Sequence, residues 1–242
     1  MQSQLVIGVL TLSGPQILIS FLEKITYFSR SFNSHNKEFY FPNFVFFTLS
    51  NNINFNKKIN EIETKNSIKI LLENYNHANF DCFLVIGSNS CYYIDYISSL
   101  IKAPIINMAT EVAKLISNDY KKPALLINDA IMNHSFYQNE LSPIGVSYFY
   151  DETLQILVNE LVISTKQTGL SNHSKKIWKN IYTHCEENNC DSIVSDFSEL
   201  SLLLDNKIGK NIIPIIDAND ILAFSCIKNC LNLDLNYYKK AL

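Results

Sequence analysis

The chain has 242 residues, of which 47% are hydrophobic and 18% charged, and its formal net charge at pH 7 is -3. This content predicts a globular α/β protein with one large core or two smaller ones. With 20 Lys and Arg against 23 Asp and Glu, no basic surplus is available for binding nucleic acid. The apolar runs are shorter than the roughly 20 residues that cross a bilayer, and no export signal is evident, so a cytoplasmic location is expected.

The predicted elements alternate along the chain, with short β-rich apolar segments followed by longer segments of helical period. This order is typical of βα units around a parallel sheet. Helices are predicted at Ile17–Ser29, behind the turn Gly14-Pro15, and at Leu154–Gln167. The predicted strands are Leu5–Leu10, Asn43–Leu49, Phe80–Ile86, Ile105–Asn107, Pro123–Ile127, Val146–Phe149, Ser192–Ser195 and Ile213–Ile216.

Two of these βαβ segments form an internal repeat. Asp81 precedes a strand, a polar turn, a helix and then Pro104, and Asp191 precedes the same series ending at Pro214. The interval from the aspartate to the proline is 23 residues in both copies. The repeat favours a duplicated α/β domain, with ligands at the carboxyl ends of the strands. Coincidence between two ordinary βαβ units is the alternative.

The cysteines give little indication of a metal site. In the expected reducing compartment they are interpreted as free thiols. The closest pairs, Cys185/Cys190 and Cys226/Cys230, lack the C-x-x-C form of most zinc sites, so no metal is predicted. The six lie at Cys82, Cys91, Cys185, Cys190, Cys226 and Cys230.

Five segments, taken in order, resemble motifs of the aspartate/glutamate racemases. VIGVLTLSGP at 6–15 resembles their opening IGxLGGMGP, and SNNINF at 50–55 resembles their asparagine-rich loop. IGSNS at 86–90 is similar to I-P-C-N-T, and DFSEL at 196–200 to G-C-T-E-L. PIID at 214–217 is similar to the closing P-V-I-D, so the likeness covers about residues 5 to 230.

This resemblance implies a fold of two pseudo-symmetric domains, each a parallel sheet flanked by helices, with the site in the cleft between them. The first domain is expected at residues 1–108 plus 212–242, and the second at 109–211. The resemblance also implies a cofactor-independent protein that binds a small carboxylate or amino acid and forms a homodimer.

The resemblance further implies that two cysteines face the substrate α-carbon, one removing the proton and the other returning it. Ser88 and Phe197 stand at these two positions in the present chain. A serine hydroxyl is far less acidic than a thiol, and a benzyl side chain transfers no proton. Two-base racemisation is therefore not expected, and the chain is interpreted as a degenerate, racemase-like pseudoenzyme.

The rest of the implied pocket also departs from the family pattern. The family arginine that pairs with the substrate carboxylate matches Lys58, which keeps the charge but not the bidentate fork. The family threonines after the central strand match Asn128 and Ile131, which weakens anion binding. Turn formation alone also explains the polar residues that remain. The candidate substrate-binding positions are Asn51, Lys58, Asn89, Ser90, Ser198 and Glu199.

Alternatives to a degenerate binding protein stay open. An active isomerase or lyase of the same superfamily would use other groups, of which Cys91, three residues after Ser88, is the first candidate. Packing of Cys91 between helix and sheet is the favoured interpretation of this residue. Glu199 and Asp217 form a possible carboxylate pair, and His134 follows the central strand. A purely structural or interaction protein, with the cleft closed by Phe197, is the third class.

Overall fold

The computed structural model describes residues 5–33, 41–49, 61–75, 79–117, 119–197, 200 and 213–231. The chain divides into two compact units, Met1–Met108 with Leu222–Leu242, and Ala109–Ile221. Each unit contains a parallel sheet with helices packed on it. The predicted fold class of two pseudo-symmetric α/β domains is confirmed. No helix in the described ranges has the length and apolar character needed to span a membrane.

The helices have the following bounds: α1 Pro15–Asn33, α2 Glu61–Glu73, α3 Ser88–Cys91, α4 Ile94–Leu100, α5 Met108–Ile116, α6 Asp129–Asn133, α7 Gln138–Leu141, α8 Glu152–Thr168, α9 Asn172–Glu187 and α10 Ala218–Leu231. A short 3-10 turn covers Ser142–Ile144. The strands are β1 Val6–Thr11, β2 Asn43–Thr48, β3 Cys82–Val85, β4 Ile105–Ile106, β5 Pro123–Leu126, β6 Ser192–Ser195 and β7 Ile215–Asp217.

The first unit is organised around β1, which lies inside a four-stranded parallel sheet of order β2-β1-β3-β4. After Val6, every residue of β1 is buried, as expected for a parallel strand covered on both faces. Gly8 lies under the ring of Phe83, and a Cβ atom at Gly8 would be 2.3 Å from the Phe83 Cδ2 atom. The Phe83 side chain of β3 thus packs on the backbone of β1 at a position where only glycine fits.

The second unit contains the three-stranded parallel sheet β5-β6-β7. Its core is built on Trp178, which is fully buried among residues of β5, α8 and α9. The predicted strand Val146–Phe149 is wrong as a strand, because only Phe149 pairs, through a parallel bridge to Ala124. The second domain also extends beyond the expected residue 211, since β7 pairs with β6 and so belongs to this sheet.

The two sheets repeat the same hydrogen bonds. The Asp81 carboxylate accepts a bond from the Val6 N–H at 2.7 Å, and the Asp191 carboxylate accepts one from the Lys122 N–H at 2.9 Å. Each aspartate precedes an inner strand of its sheet, β3 or β6. Its hydrogen bond connects that strand to the start of the neighbouring strand, β1 or β5. The N–H groups of Phe83 and Ile193 donate to the carbonyl oxygens of Pro104 and Pro214, both at 2.9 Å. The internal repeat predicted from the sequence is therefore a structural duplication.

Helices α8 and α9 are consecutive in the chain and pack on each other. A side chain caps the amino end of each helix. Asp151 caps α8 by accepting the Leu154 N–H at 2.7 Å, and its carboxylate also lies 2.9 Å from His184 Nε2. Ser171 caps α9 in a reciprocal capping box with Ser174. These caps satisfy backbone N–H groups that have no partner within a helix.

Candidate functional site

At the carboxyl edge of the first sheet, the turns after β1 and β3 are hydrogen-bonded to each other. The Ser90 hydroxyl accepts the Leu12 N–H at 2.8 Å, and the Thr11 hydroxyl accepts the Ser13 N–H at 3.1 Å. Ser90 and Thr11 are both fully buried. Ser90 thus positions the turn after β1, whereas Asn89 beside it is half-buried.

Gly87 lies in the turn between β3 and α3. Its φ of +87° lies in the left-handed region, and an added Cβ would be 2.8 Å from Ile17 Cδ1 and 3.1 Å from Ser13 Oγ. Position 87 therefore has no room for a cysteine. Ser88, the next residue, is the first of α3.

Cys91 lies in the core of the first unit. It is 1% exposed, and its thiol donates to the Val85 carbonyl oxygen at 3.6 Å. Cys82 and Cys190 lie at or before the amino ends of β3 and β6, and the structure describes all six cysteines. The remaining three are in helices: Cys185 in α9, and Cys226 and Cys230 in α10. No exposed thiol therefore follows the carboxyl end of a strand.

At the carboxyl edge of the second sheet, Phe197 occupies the turn after β6. Its side chain is half-buried and packs against the core of the second unit, while its N–H donates to the Ser195 hydroxyl at 3.3 Å. An aromatic ring in this environment contributes apolar contact and no acid or base. This is the chemistry that the sequence predicts for position 197.

Beside Phe197, two carboxylates and an amide are buried together. Asp196, Asp217 and Asn219 are 1%, 5% and 2% exposed. The Asn219 N–H donates to Asp217 Oδ1 at 2.8 Å, and its side-chain NH₂ donates to the Asp196 carbonyl at 3.2 Å. Asn219 Oδ1 is buried with no hydrogen-bond partner among the described residues. Buried acceptors of this kind favour a ligand that donates hydrogen bonds.

Sequence reasoning missed Asp196 and Asn219 as site residues. A signal for Asp196 was present, since it stands where the resemblance expects the glycine of G-C-T-E-L. Asn219 carries no such signal, because its place beside Asp196 follows from the pairing of β6 with β7.

The duplication allows the two family cysteine positions to be compared by counting. Equivalent residues of β3 and β6 differ by 110 in number, as with Phe83 and Ile193. By this count Gly87 corresponds to Phe197, and Ser88 corresponds to Ser198. The motif match and the strand count thus differ by one residue in the second unit, which bears on any attempt to restore the cysteines.

The remaining predicted residues are distributed as follows. Asn128 accepts the Ile131 N–H at 2.9 Å, Ile131 is fully buried, and His134 is exposed. Within the described ranges, no three His, Cys, Asp or Glu residues form a group that could hold a metal. Asn51, Lys58, Ser198 and Glu199 lie outside the described residues.

Comparison with protein-family models gives no match. In sequence, the chain is similar to the broad specificity amino-acid racemase RacX of Bacillus subtilis strain 168, with 23% identity over 226 residues. The matched region covers 93% of this chain and 98% of that racemase. The similarity therefore extends over nearly the whole of both proteins.

Solved structures share the fold at lower sequence identity. The aspartate racemase of Picrophilus torridus matches with a TM-score of 0.73 and 17% identity, covering 98% of this chain and 100% of that one. An aspartate racemase homologue from Pyrococcus horikoshii OT3 gives 0.72 and 16%, covering 93% and 98%. The glutamate racemase of Francisella tularensis in complex with D-glutamate gives 0.61 and 13%, covering 99% and 83%.

Proposed function

We propose that this chain belongs to the aspartate/glutamate racemase superfamily, binds an amino acid or another small carboxylate and has lost two-cysteine racemisation. Its sequence similarity to an amino-acid racemase and its fold similarity to aspartate and glutamate racemases support the membership. The observation that carries this proposal is the placement of the thiols. Two-base racemisation needs an ionisable group on each face of the α-carbon. Cys82 and Cys190 lie at or before the amino ends of strands, the thiols of α9 and α10 lie far along their helices, and Cys91, in α3, is 1% exposed.

The polar groups at the two carboxyl edges support an amino acid as the ligand. In the first unit, the turn after β3 begins with Ser88 and the half-buried Asn89, whose amide can donate to a carboxylate. In the second unit, the acceptors around Asp196, Asp217 and Asn219 suit an ammonium group. An amino acid has one group of each kind. No cofactor is required for binding, and a cytoplasmic homodimer remains the expected state.

A thermal-shift screen tests the binding half of this proposal. The purified protein is heated with L- and D-amino acids, dicarboxylates and keto acids, and a ligand that binds the native state raises Tm by mass action. We expect a stabilising shift of about 5–11 °C at a concentration 100 times Kd, corresponding to roughly 2.7 kcal/mol. Asp217→Asn is expected to reduce the shift for amino acids more than for dicarboxylates. Failure of all compounds to stabilise the chain would contradict the proposal.

Proton exchange tests the catalytic half. Aspartate, glutamate and other amino acids are incubated with the protein in deuterated water, and NMR detects loss of the α-proton signal. We expect no exchange above a heat-treated control. Deuterium at the α-carbon would overturn the claim that proton transfer has been lost.

Restoring the cysteines tests whether the chain lacks only the two thiols or whether its site no longer accepts a substrate. Ser88→Cys is combined either with Phe197→Cys, as the motif match indicates, or with Ser198→Cys, as the strand count indicates. Exchange that appears in one double variant only would identify the second position. The matched single variants should remain inactive, since racemisation needs both groups.

The second candidate function is an isomerase or lyase that uses one carboxylate as a base. The buried Asp196 and Asp217 favour it, because burial is a common way of tuning carboxyl groups for proton transfer. Such an enzyme would exchange the α-proton of its substrate without interconverting enantiomers. Exchange abolished by Asp196→Asn would therefore favour this candidate over a binding protein.

A further inference from the structure

Two thiols lie together where α9 ends, before the amino end of β6. Cys185 is fully buried in the core of the second unit, and Cys190 is 8% exposed. The two thiols are near enough that each is the largest influence on the pKa of the other. Asp196 follows β6 at its other end, so neither thiol belongs to the candidate site described above.

The backbone brings these two residues together. Asn189 adopts the left-handed conformation with φ of +55°, and the Cys190 N–H donates to the Cys185 carbonyl oxygen at 3.0 Å. This bond closes the Schellman motif that ends many helices. With standard backbone dimensions it holds the two Cα atoms at most about 7 Å apart. Disulfides bridge Cα separations of roughly 4.4–6.8 Å, so little movement is needed to join them.

The surroundings give the two thiols different reactivity. The neighbouring Cys185 thiol and the positive charge of Lys122 lower the pKa of the Cys190 thiol, against the opposing effect of burial. The neighbouring Cys190 thiol and burial raise the pKa of the Cys185 thiol. Lys122 is held in place by its own bond to the Asn188 carbonyl at 2.6 Å. Cys190 is therefore the nucleophile, with Cys185 behind it.

We infer that Cys185 and Cys190 form a redox-active dithiol that reacts with low-molecular-weight disulfides of the glutathione type. The Cys190 thiolate attacks one sulfur of the small disulfide, whose S–S bond breaks and releases one thiolate that takes up a proton. Cys185 then loses its proton, attacks the Cys190 sulfur and expels the second small thiol. Two protein thiols are oxidised to one disulfide, and one small disulfide is reduced to two thiols.

The competing explanation is purely structural. Schellman motifs commonly have an apolar contact between the residues that Cys185 and Cys190 represent, and buried cysteines behave as small apolar side chains. On this explanation the pair has no special reactivity. Cys230, which is more exposed than Cys190 and whose thiol pKa is also lowered, would then be modified at least as fast.

Peptide mapping after mild oxidation distinguishes the two explanations. Reduced wild-type protein is treated with oxidised glutathione at pH 7.5, quenched with iodoacetamide and digested after glutamate. Because Glu186 and Glu187 lie between the two cysteines, the digest separates them unless a disulfide joins the fragments. We expect joined fragments, formed at least about tenfold faster than any adduct at Cys230.

Variants identify the order of the two steps. Cys185→Ser should trap glutathione on Cys190, and Cys190→Ser should leave Cys185 unmodified. Asn189→Gly keeps the left-handed turn and serves as the matched control, expected to react like the wild type. Separate fragments in the wild-type digest, or faster modification of Cys230, would overturn the inference. Both readings come from the wild-type protein and do not depend on the folding of a variant.

Discussion

Gly8 shows how one residue sets the packing of the first sheet. Its place inside β1 brings it directly under Phe83 of the neighbouring strand, and the Phe83 ring occupies the volume that a side chain would need. Glycine in a strand interior normally weakens the strand and often marks the close approach of another group. Here the approaching group is an aromatic ring, so the glycine is required by packing and not by a turn.

We expect Gly8→Ala to lower the free energy of unfolding by about 1–3 kcal/mol, because the added methyl group overlaps the Phe83 ring. Phe83→Leu removes the ring atoms in that overlap. In a double-mutant cycle, Gly8→Ala should therefore cost less when combined with Phe83→Leu than alone. Urea unfolding of the four proteins measures the coupling. Equal costs in both backgrounds would refute the steric explanation.

Ser90 illustrates why a residue's role is hard to read from a motif. The sequence predicts it as part of a ligand site because it follows Ser88 and Asn89 in a polar turn. The structure has it fully buried, with its hydroxyl bonded to the Leu12 N–H from another turn. That partner is 78 residues away in the chain. Local sequence carries no information on such a contact.

At the scale of elements, polar side chains cap the amino ends of α8 and α9. Asp151 performs two tasks, since it caps α8 and pairs with His184 of α9. Ser171 performs only the capping task for α9. The difference allows the two contributions of an N-cap aspartate to be separated.

Asp151→Ala is expected to reduce stability by about 1–2 kcal/mol, because it removes both the cap and the contact with His184. Asp151→Asn keeps a good N-cap and loses only the charge, so it should cost less than half as much. Ser171→Ala gives the reference for loss of a cap alone. Thermal and urea unfolding of the three variants measure these costs. If Asp151→Asn proved as damaging as Asp151→Ala, the cap would not be the main contribution.

For the molecule as a whole, a buried thiol gives a pH dependence at the alkaline end. Burial, followed by the nearby Cys230 and Asp81, raises the pKa of the Cys82 thiol to about 12 from 9.0. The unfolded chain therefore loses this proton at a lower pH than the folded chain. Stability is retained below pH 9 and falls as the pH rises from 9 towards 12.

The expected loss from Cys82 is up to about 1.4 kcal/mol per pH unit within that window. Cys82→Ala should flatten the decline, when unfolding is measured in reductant between pH 7.5 and 11. Val85→Ala, in the same strand, should shift the curve downward without changing its slope, since no titrating group is removed. Parallel curves for wild type and Cys82→Ala would show that other groups dominate.

The sequence predicts most of the fold because the repeat and the alternation of elements are local patterns. The paired intervals Asp81–Pro104 and Asp191–Pro214 correspond to equivalent hydrogen bonds in the two sheets. The failures have long-range causes. Val146–Phe149 has the composition of a strand but forms only one bridge, and β7 joins the second sheet through its pairing with β6. Of the acidic group at the carboxyl edge, the sequence indicates Asp217 but not Asp196, because the two come together only when β6 and β7 lie side by side.

Helix α10 has a consequence for biosynthesis. Its residues from Leu222 onward belong to the first unit, where Phe224 contacts Phe28 of α1 with ring centroids 5.7 Å apart. The second unit is one continuous stretch of chain, whereas the first is interrupted by it. On the ribosome, the later-synthesised unit is thus complete before the earlier one. The first unit, whose amino-terminal segment is made earlier, cannot complete its core until α10 has been translated.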